Sequence, residues 1–394
     1  RAYAPAPWTP PSHASMFTGL YPSGHGTVSS QTALRGDHAT VADALSKAGY
    51  ETFFLSYKGV LRKAFGWDRG FDHSVTVNIE DKAAPLFKRL FDKIANKNAS
   101  PTPLTVNIAL AWLDARESTR PFFLFVNVTD PHSPYHAREP FFSECSGAID
   151  RSEIDREKIR KLATKQRDLR LYNKGKIEPL NASEFDYVRC LYDSEARYQD
   201  EHLGRLFDRL EQTSGARRTV AIITADHGEL LGEHRLMGHT DYLYDELIRV
   251  PLIIWGTGAS GVADQKVSLI DVFPTILELG RVKVGGDVAP DAVNLLGPPR
   301  DRLVFAESWT SGVVRRAVVG EKYKYIWESN GDSLLFDVVL DPNESEDLSG
   351  TATDVVKELH GEIAAKFDLS IEKPTSDVVD ERSLKILKSL GYVQ

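Results

Sequence analysis

The chain has 394 residues, 42% of them hydrophobic and 26% charged, with a formal net charge of −8. That length suits one large α/β domain with a smaller appended unit. The acidic balance leaves no basic footprint for nucleic acid, and no apolar run approaches the roughly 18–20 residues of a membrane span.

The chain opens Arg1-Ala2-Tyr3 and runs within nine residues into Pro7-Trp8-Thr9-Pro10-Pro11-Ser12-His13-Ala14-Ser15-Met16-Phe17-Thr18-Gly19. Proline fixes its own φ and biases the residue before it towards extended backbone, so Thr9 is expected to be extended. Ser12 is expected to cap the turn that follows, whose unpaired N–H groups would face Thr9 and receive an oxyanion there. Taken alone, such a run reads equally as a Pro-rich turn at a helix start.

A short helix is expected over Val41–Lys47, ending near Gly49, and a strand over Glu51–Ser56. The apolar run 122–129 has strand length and suits a sheet buried on both faces. Residues 139–184 are the least regular. Within them 154–168 reads either as a solvated helix or as a lid over the site. Apolar residues recur at helical spacing over 188–210. Strands follow at 219–224 and 250–255, then a helix over 271–279 with Asp271 as its cap. This alternation argues a mostly parallel central sheet flanked by helices, over residues 1–297. Short strands at 303–307, Val313–Val319, 323–327 and 334–338, separated by Gly, Asn and Asp, predict a small antiparallel sheet. Helices over 355–367 and 381–390 close this C-terminal subdomain, 298–394. Cys145 and Cys190 are the two cysteines. No disulfide framework is implied, and the redox compartment is left open.

Three further segments carry chemistry. Thr224-Ala225-Asp226-His227-Gly228-Glu229 follows a strand directly, at the end of an open sheet where ligands bind. Asp226 and His227 offer an oxygen and an imidazole nitrogen to a divalent cation. Leu231-Gly232-Glu233-His234, Met237-Gly238-His239, Leu243-Tyr244-Asp245-Glu246 and Arg249-Val250-Pro251 come next in order. His132 lies in Thr129-Asp130-Pro131-His132-Ser133-Pro134-Tyr135, just after the strand 122–129; a histidine titrates near neutral pH and suits proton transfer.

Together these segments resemble the two signatures of the sulfatase family, within the alkaline-phosphatase-like superfamily. The first has the usual form Cys-x-Pro-Ser-Arg followed by Thr-Gly. Here Thr9 takes the Cys position and His13 the Arg position. The resemblance implies an alkaline-phosphatase-like fold and a metal-dependent hydrolase of sulfate or phosphate esters, acting on a small molecule or a polymer. It implies Thr9, Asp226 and His227 as metal ligands. Thr9, His13, His132 and His239 would be the catalytic residues, with His132 donating to the transferred group. His239 stands where sulfatases carry a Lys, either as a conditional cation or as a second metal ligand. His25 would support its loop and His234 would pack beneath the site. The family's Gly-Lys-Trp-His is missing, and Lys58 is a candidate replacement cation. The segment Phe336-Asp337 with Asp341-Pro342-Asn343-Glu344 reads as structural.

Threonine is not a substrate for conversion to formylglycine, so Thr9 would attack directly as a metal-activated alkoxide. Ca²⁺ is implied by the family; Thr9 and His227 favour Mn²⁺ or Zn²⁺. The family also places a strand with two adjacent Asp ligands before the first motif, so the sequence is expected to be a truncated form. The alternative is a non-catalytic relative that binds an anionic ligand.

Overall fold

The computed structural model describes residues 1–29, 32–34, 36–57, 59–77, 100–116, 119–213, 219–285, 289–310 and 312–370. Lys58 and the helix expected over 381–390 lie outside them.

β1 (Ala2–Tyr3) leads to α1 (Thr9–Thr18), then α2 (Val41–Lys47), β2 (Glu51–Ser56) and β3 (His73–Thr76). α3 (Pro101–Ala115) and β4 (Phe122–Asn127) follow. β2 pairs in parallel with β3 and β4, with Phe53 opposite His73 and Leu124. Side chains alternate across these strands, as the pleat requires. Phe54 and Phe125 pack with Phe17 of α1 and Leu45 of α2, whereas Phe53, Leu55, Leu124 and Val126 pack with Val106 and Trp112 of α3. Both faces are therefore covered, which is why β4, Phe122–Asn127, reads as a nearly continuous apolar run.

α4 (Phe141–Ser146), α5 (Arg156–Thr164) and α6 (Gln166–Asn173) precede the 32-residue α7 (Ala182–Thr213). The stretch 154–168 is thus two helices, parted at Lys165. It is more than a solvated face, because Ile159, Leu162 and Tyr172 are buried with Val188, Leu231 and Met237. Cys145 of α4 and Cys190 of α7 form a disulfide, which spacing alone did not imply.

β5 (Ala221–Thr224) is followed by the hairpin β6 (Leu230–Leu231) and β7 (Met237–Gly238), then α8 (Asp245–Ile248), β8 (Arg249–Val250), β9 (Leu252–Trp255) and β10 (Val267–Ser268). The strand expected over 250–255 is broken at Pro251, which has no N–H to give a ladder. β5 pairs with β9 in the antiparallel sense, while β1 lies parallel to β10 and antiparallel to β8. α9 (Val272–Leu279) covers the α1 face. Asp271 precedes it, but its carboxylate does not cap it. It accepts instead from the backbone N–H of Ser268 and Val293 and pairs with Arg302.

The last sheet is antiparallel, in the order β11 (Val304–Thr310), β12 (Val313–Val319), β13 (Tyr323–Glu328), β14 (Ser333–Asp337). Its residues also alternate: Val304, Ala306, Ala317 and Ile326 pack on Tyr3, Leu247 and Ile248 of the α/β body. Phe305, Val318, Tyr325 and Leu335 pack on Leu359 and Ile363 of α10 (Thr353–Lys366). No helix among the described residues is long and apolar enough to cross a membrane.

Candidate active site

Two prolines start α1 rather than hold Thr9 extended. Trp8 is the extended N-cap residue, Thr9 is the first residue of the helix, and Pro10 and Pro11 follow it. Proline is well suited there, since the first N–H groups of a helix have no partner inside it. Ser12 accordingly caps nothing. Its hydroxyl donates to the Asp226 carbonyl at 2.6 Å, binding the helix to the loop after β5. Gly228 shapes that loop. Its N–H donates to the Leu247 carbonyl at 2.8 Å, and a Cβ on it would collide with the Glu246 carbonyl oxygen.

These contacts bring Thr9, Asp226 and His227 together. His227 Nε2 lies 3.3 Å from Thr9 Oγ1 and 3.5 Å from Asp226 Oδ2. A carbonyl only accepts, so His227 Nδ1 must carry the proton it donates to the Gly228 carbonyl at 2.8 Å. Nε2 then keeps its lone pair, and the Thr9 hydroxyl donates to it. Burial holds the ring neutral, bringing its pKa down to about 4. One oxygen anion, one neutral imidazole and one hydroxyl are a donor set that fits a divalent cation.

The same logic assigns the other imidazoles. His13 Nδ1 faces two acceptors, the Thr9 carbonyl at 2.9 Å and Asp226 Oδ2 at 3.4 Å. It is buried against Trp67 and Phe125. His132 Nδ1 donates to the Ser133 carbonyl at 2.6 Å. His239 Nδ1 donates to Glu229 Oε1 at 2.8 Å. The His239 ring lies 4.3 Å from that of His227 and 5.2 Å from that of His132, centroid to centroid. Burial alone would raise the Glu229 carboxyl, but His239, His132 and His227 together outweigh burial and hold it down to about 2. Glu229 escaped the sequence reading because its signal is a hairpin register, not a motif.

His25 supports α1 from within. Its Nε2 lies 3.0 Å from Ser15 Oγ and its Nδ1 accepts the Thr27 N–H at 3.0 Å. Both nitrogens are thus committed in the neutral form, and burial lowers the pKa to about 3. Unfolded, the same imidazole takes its proton near 6.5. Its contribution is therefore complete above about pH 6.5 and is lost as the pH falls towards 3. We expect the stability advantage of the wild type over His25→Gln to shrink by about 2 kcal/mol between about pH 7.5 and pH 5, read from urea unfolding. A gap that does not change with pH would count against this assignment.

His234 has a different setting. It stacks on Tyr244 at 3.8 Å, and its Nε2 is 3.3 Å from Glu246 Oε2. With Glu344 these form a group whose ligand atoms lie within 4.8 Å of one another. The buried ammonium of Lys324 already sits 2.7 Å from Glu344 Oε1 and 2.9 Å from Asp245 Oδ1. That cluster ties the C-terminal sheet to α8, in keeping with a structural reading of the segment containing Glu344.

Among the described strands, β4 and β5 each pair on one side only. Both line one cavity of about 670 Å³, which extends to Thr9, His13, His132, Asp226 and His227. Apolar residues of α7 and α9, including Leu206 and Ile276, complete its walls.

Fold and site together define the alkaline-phosphatase-like α/β class of sulfate and phosphate ester hydrolases. The chain belongs to the sulfatase family, whose model matches residues 1–282. It is similar to arylsulfatase K of Xenopus laevis, 24% identical, over 98% of this chain and 79% of the relative. It is also similar to the multifunctional alkaline phosphatase superfamily protein PehA of Trinickia caryophylli, 26% identical, over 86% and 80%. Among solved structures, the fold matches one in complex with its substrate D-glucosamine-2-N,6-O-disulfate, with a TM-score of 0.67 and 19% identity over 93% of this chain and 89% of the other. It likewise matches the phosphonate monoester hydrolase of Agrobacterium radiobacter, with a TM-score of 0.66 and 18% identity over 93% and 87%.

Proposed function

We propose that this chain is a metal-dependent hydrolase of sulfate or phosphate esters that attacks through Thr9 Oγ1. The observation that carries this reading is the 3.3 Å approach of Thr9 Oγ1 to the unprotonated Nε2 of a buried, neutral His227. Asp226, His227 and Thr9 would hold one divalent cation, which supplies a lowered hydroxyl pKa and a polarised ester oxygen. Mn²⁺ or Zn²⁺ suits the imidazole better than Ca²⁺ does.

Thr9 Oγ1, whose proton would pass to bulk water as its pKa is lowered, forms a bond to the sulfur or phosphorus as the bond to the leaving oxygen breaks. His132, entering the step as an imidazolium with Nδ1–H on the Ser133 carbonyl, gives the departing oxygen its Nε2 proton and takes one back from the water of the second step. His13 bridges the Thr9 carbonyl and the Asp226 carboxylate, and so keeps nucleophile and ligand in register. Water then cleaves the ester left on Thr9. The cavity between β4 and β5 has the place and the apolar walls for one more extended segment. Carboxylates at its end would enlarge the ligand set beside Asp226.

Direct attack by a threonine favours phosphodiesters. The similarity to arylsulfatases, and to a structure solved with a sulfated sugar, supports a sulfated saccharide as the sulfate-side candidate. Turnover of an aryl phosphodiester and an aryl sulfate, each with added Mn²⁺, separates the two. We expect the diester to be the better substrate. Robust sulfate turnover without diester turnover would overturn attack by threonine.

A further inference from the structure

Glu229 and His239 flank the smallest hairpin in the site. In β6–β7, Leu230 pairs with Gly238 and Leu231 with Met237, so the next position of the ladder sets Glu229 opposite His239. The hairpin is held from behind. The Asn173 side chain donates to the Met237 carbonyl and accepts its N–H, each at 3.0 Å, while Leu231 and Met237 pack on α5 and α7 residues.

The Glu229 side chain is only 4% exposed. One oxygen accepts the hydrogen bond from His239 Nδ1 at 2.8 Å. Glu229 lines the same cavity as Thr9 and His132. The His239 ring, with His227 at 4.3 Å and His132 at 5.2 Å, has its Nδ1 taken up on this side.

We propose that Glu229 is the positioning residue of His239, fixing the Nδ1–H tautomer and the ring plane so that Nε2 is presented to the ester at Thr9. The proposal rests on the reading under Proposed function. A carboxylate behind an imidazole commonly sets its tautomer in this way, and its loss costs about 10–100-fold in activity.

The test begins with an observation that needs no turnover. In protein carrying heavy-nitrogen histidine, long-range proton–nitrogen spectra report each tautomer, with His239 assigned by loss of its signal in His239→Gln. The wild type and Glu229→Gln, which keeps an acceptor oxygen, are expected to show Nδ1–H at His239. Glu229→Ala is expected to show mixed tautomers. In kinetics, kcat should fall about 10–100-fold in Glu229→Ala with a much smaller change in KM, while Glu229→Gln keeps most of its rate. An Nε2–H tautomer in the wild type would overturn the proposal even if Glu229→Ala did not fold. So would an unchanged tautomer in Glu229→Ala, or Glu229→Gln as slow as Glu229→Ala. Thr9→Ala separates the two claims: full turnover there would sink the catalytic reading and leave the tautomer result standing.

Discussion

Thr9→Ala is expected to lower ester turnover by about 10³-fold or more, because it removes the atom that forms the bond to sulfur or phosphorus. The variant should fold normally. The Thr9 side chain makes one hydrogen bond, to His227 Nε2, while the helix start depends on Trp8, Pro10 and Pro11. Thr9→Ser keeps an oxygen in the same place and is expected to retain activity well above that of Thr9→Ala. Steady-state rates on one aryl ester, alongside unfolding curves, check both. If Thr9→Ala turned over like the wild type, the alternative of an anion-binding relative would be the better account.

The second large effect is expected at Gly228. Any Cβ there meets the Glu246 carbonyl oxygen and approaches the Glu246 carbonyl carbon to 3.0 Å, both of them backbone atoms of α8 that no rotamer change can move. Overpacking of this kind costs about 3 kcal/mol when the backbone must shift. Gly228→Ala should therefore lose stability in urea unfolding. It should lose activity as well, since Asp226 and His227 lie immediately before it and are held by the Ser12 and Leu247 contacts. Unchanged stability would mean that the loop does not approach α8 as closely as described.

The contrast between Thr9 and Glu229 indicates what the sequence could and could not convey. Local pattern was enough for α2 and β2, whose bounds follow directly from apolar spacing and from Gly49. The two signatures placed Thr9, Asp226 and His227 in one family site, and the structure brings those side chains together. Pro10 and Pro11 misled on local geometry. A proline restrains the residue before it, yet at the first positions of a helix it equally well opens one. Asp271 looked like a cap because its position is right, but Ser268, Val293 and Arg302 compete for its carboxylate. None of those three is adjacent to it in sequence. Glu229 and the buried face of the 154–168 helices escaped for a related reason. Their roles depend on a two-residue hairpin register and on packing against Leu231 and Met237, and both are tertiary facts.

Direct attack by Thr9 is tested most directly by looking for the ester it must form. The protein is mixed with an aryl phosphodiester and Mn²⁺, quenched in acid within one turnover, digested, and the peptide containing Thr9 is weighed by mass spectrometry. The expected result is a fraction of that peptide carrying the phosphoryl group on Thr9, absent from Thr9→Ala. Burst release of the aryl alcohol with the Thr9 peptide unmodified, and the same burst from Thr9→Ala, would contradict it.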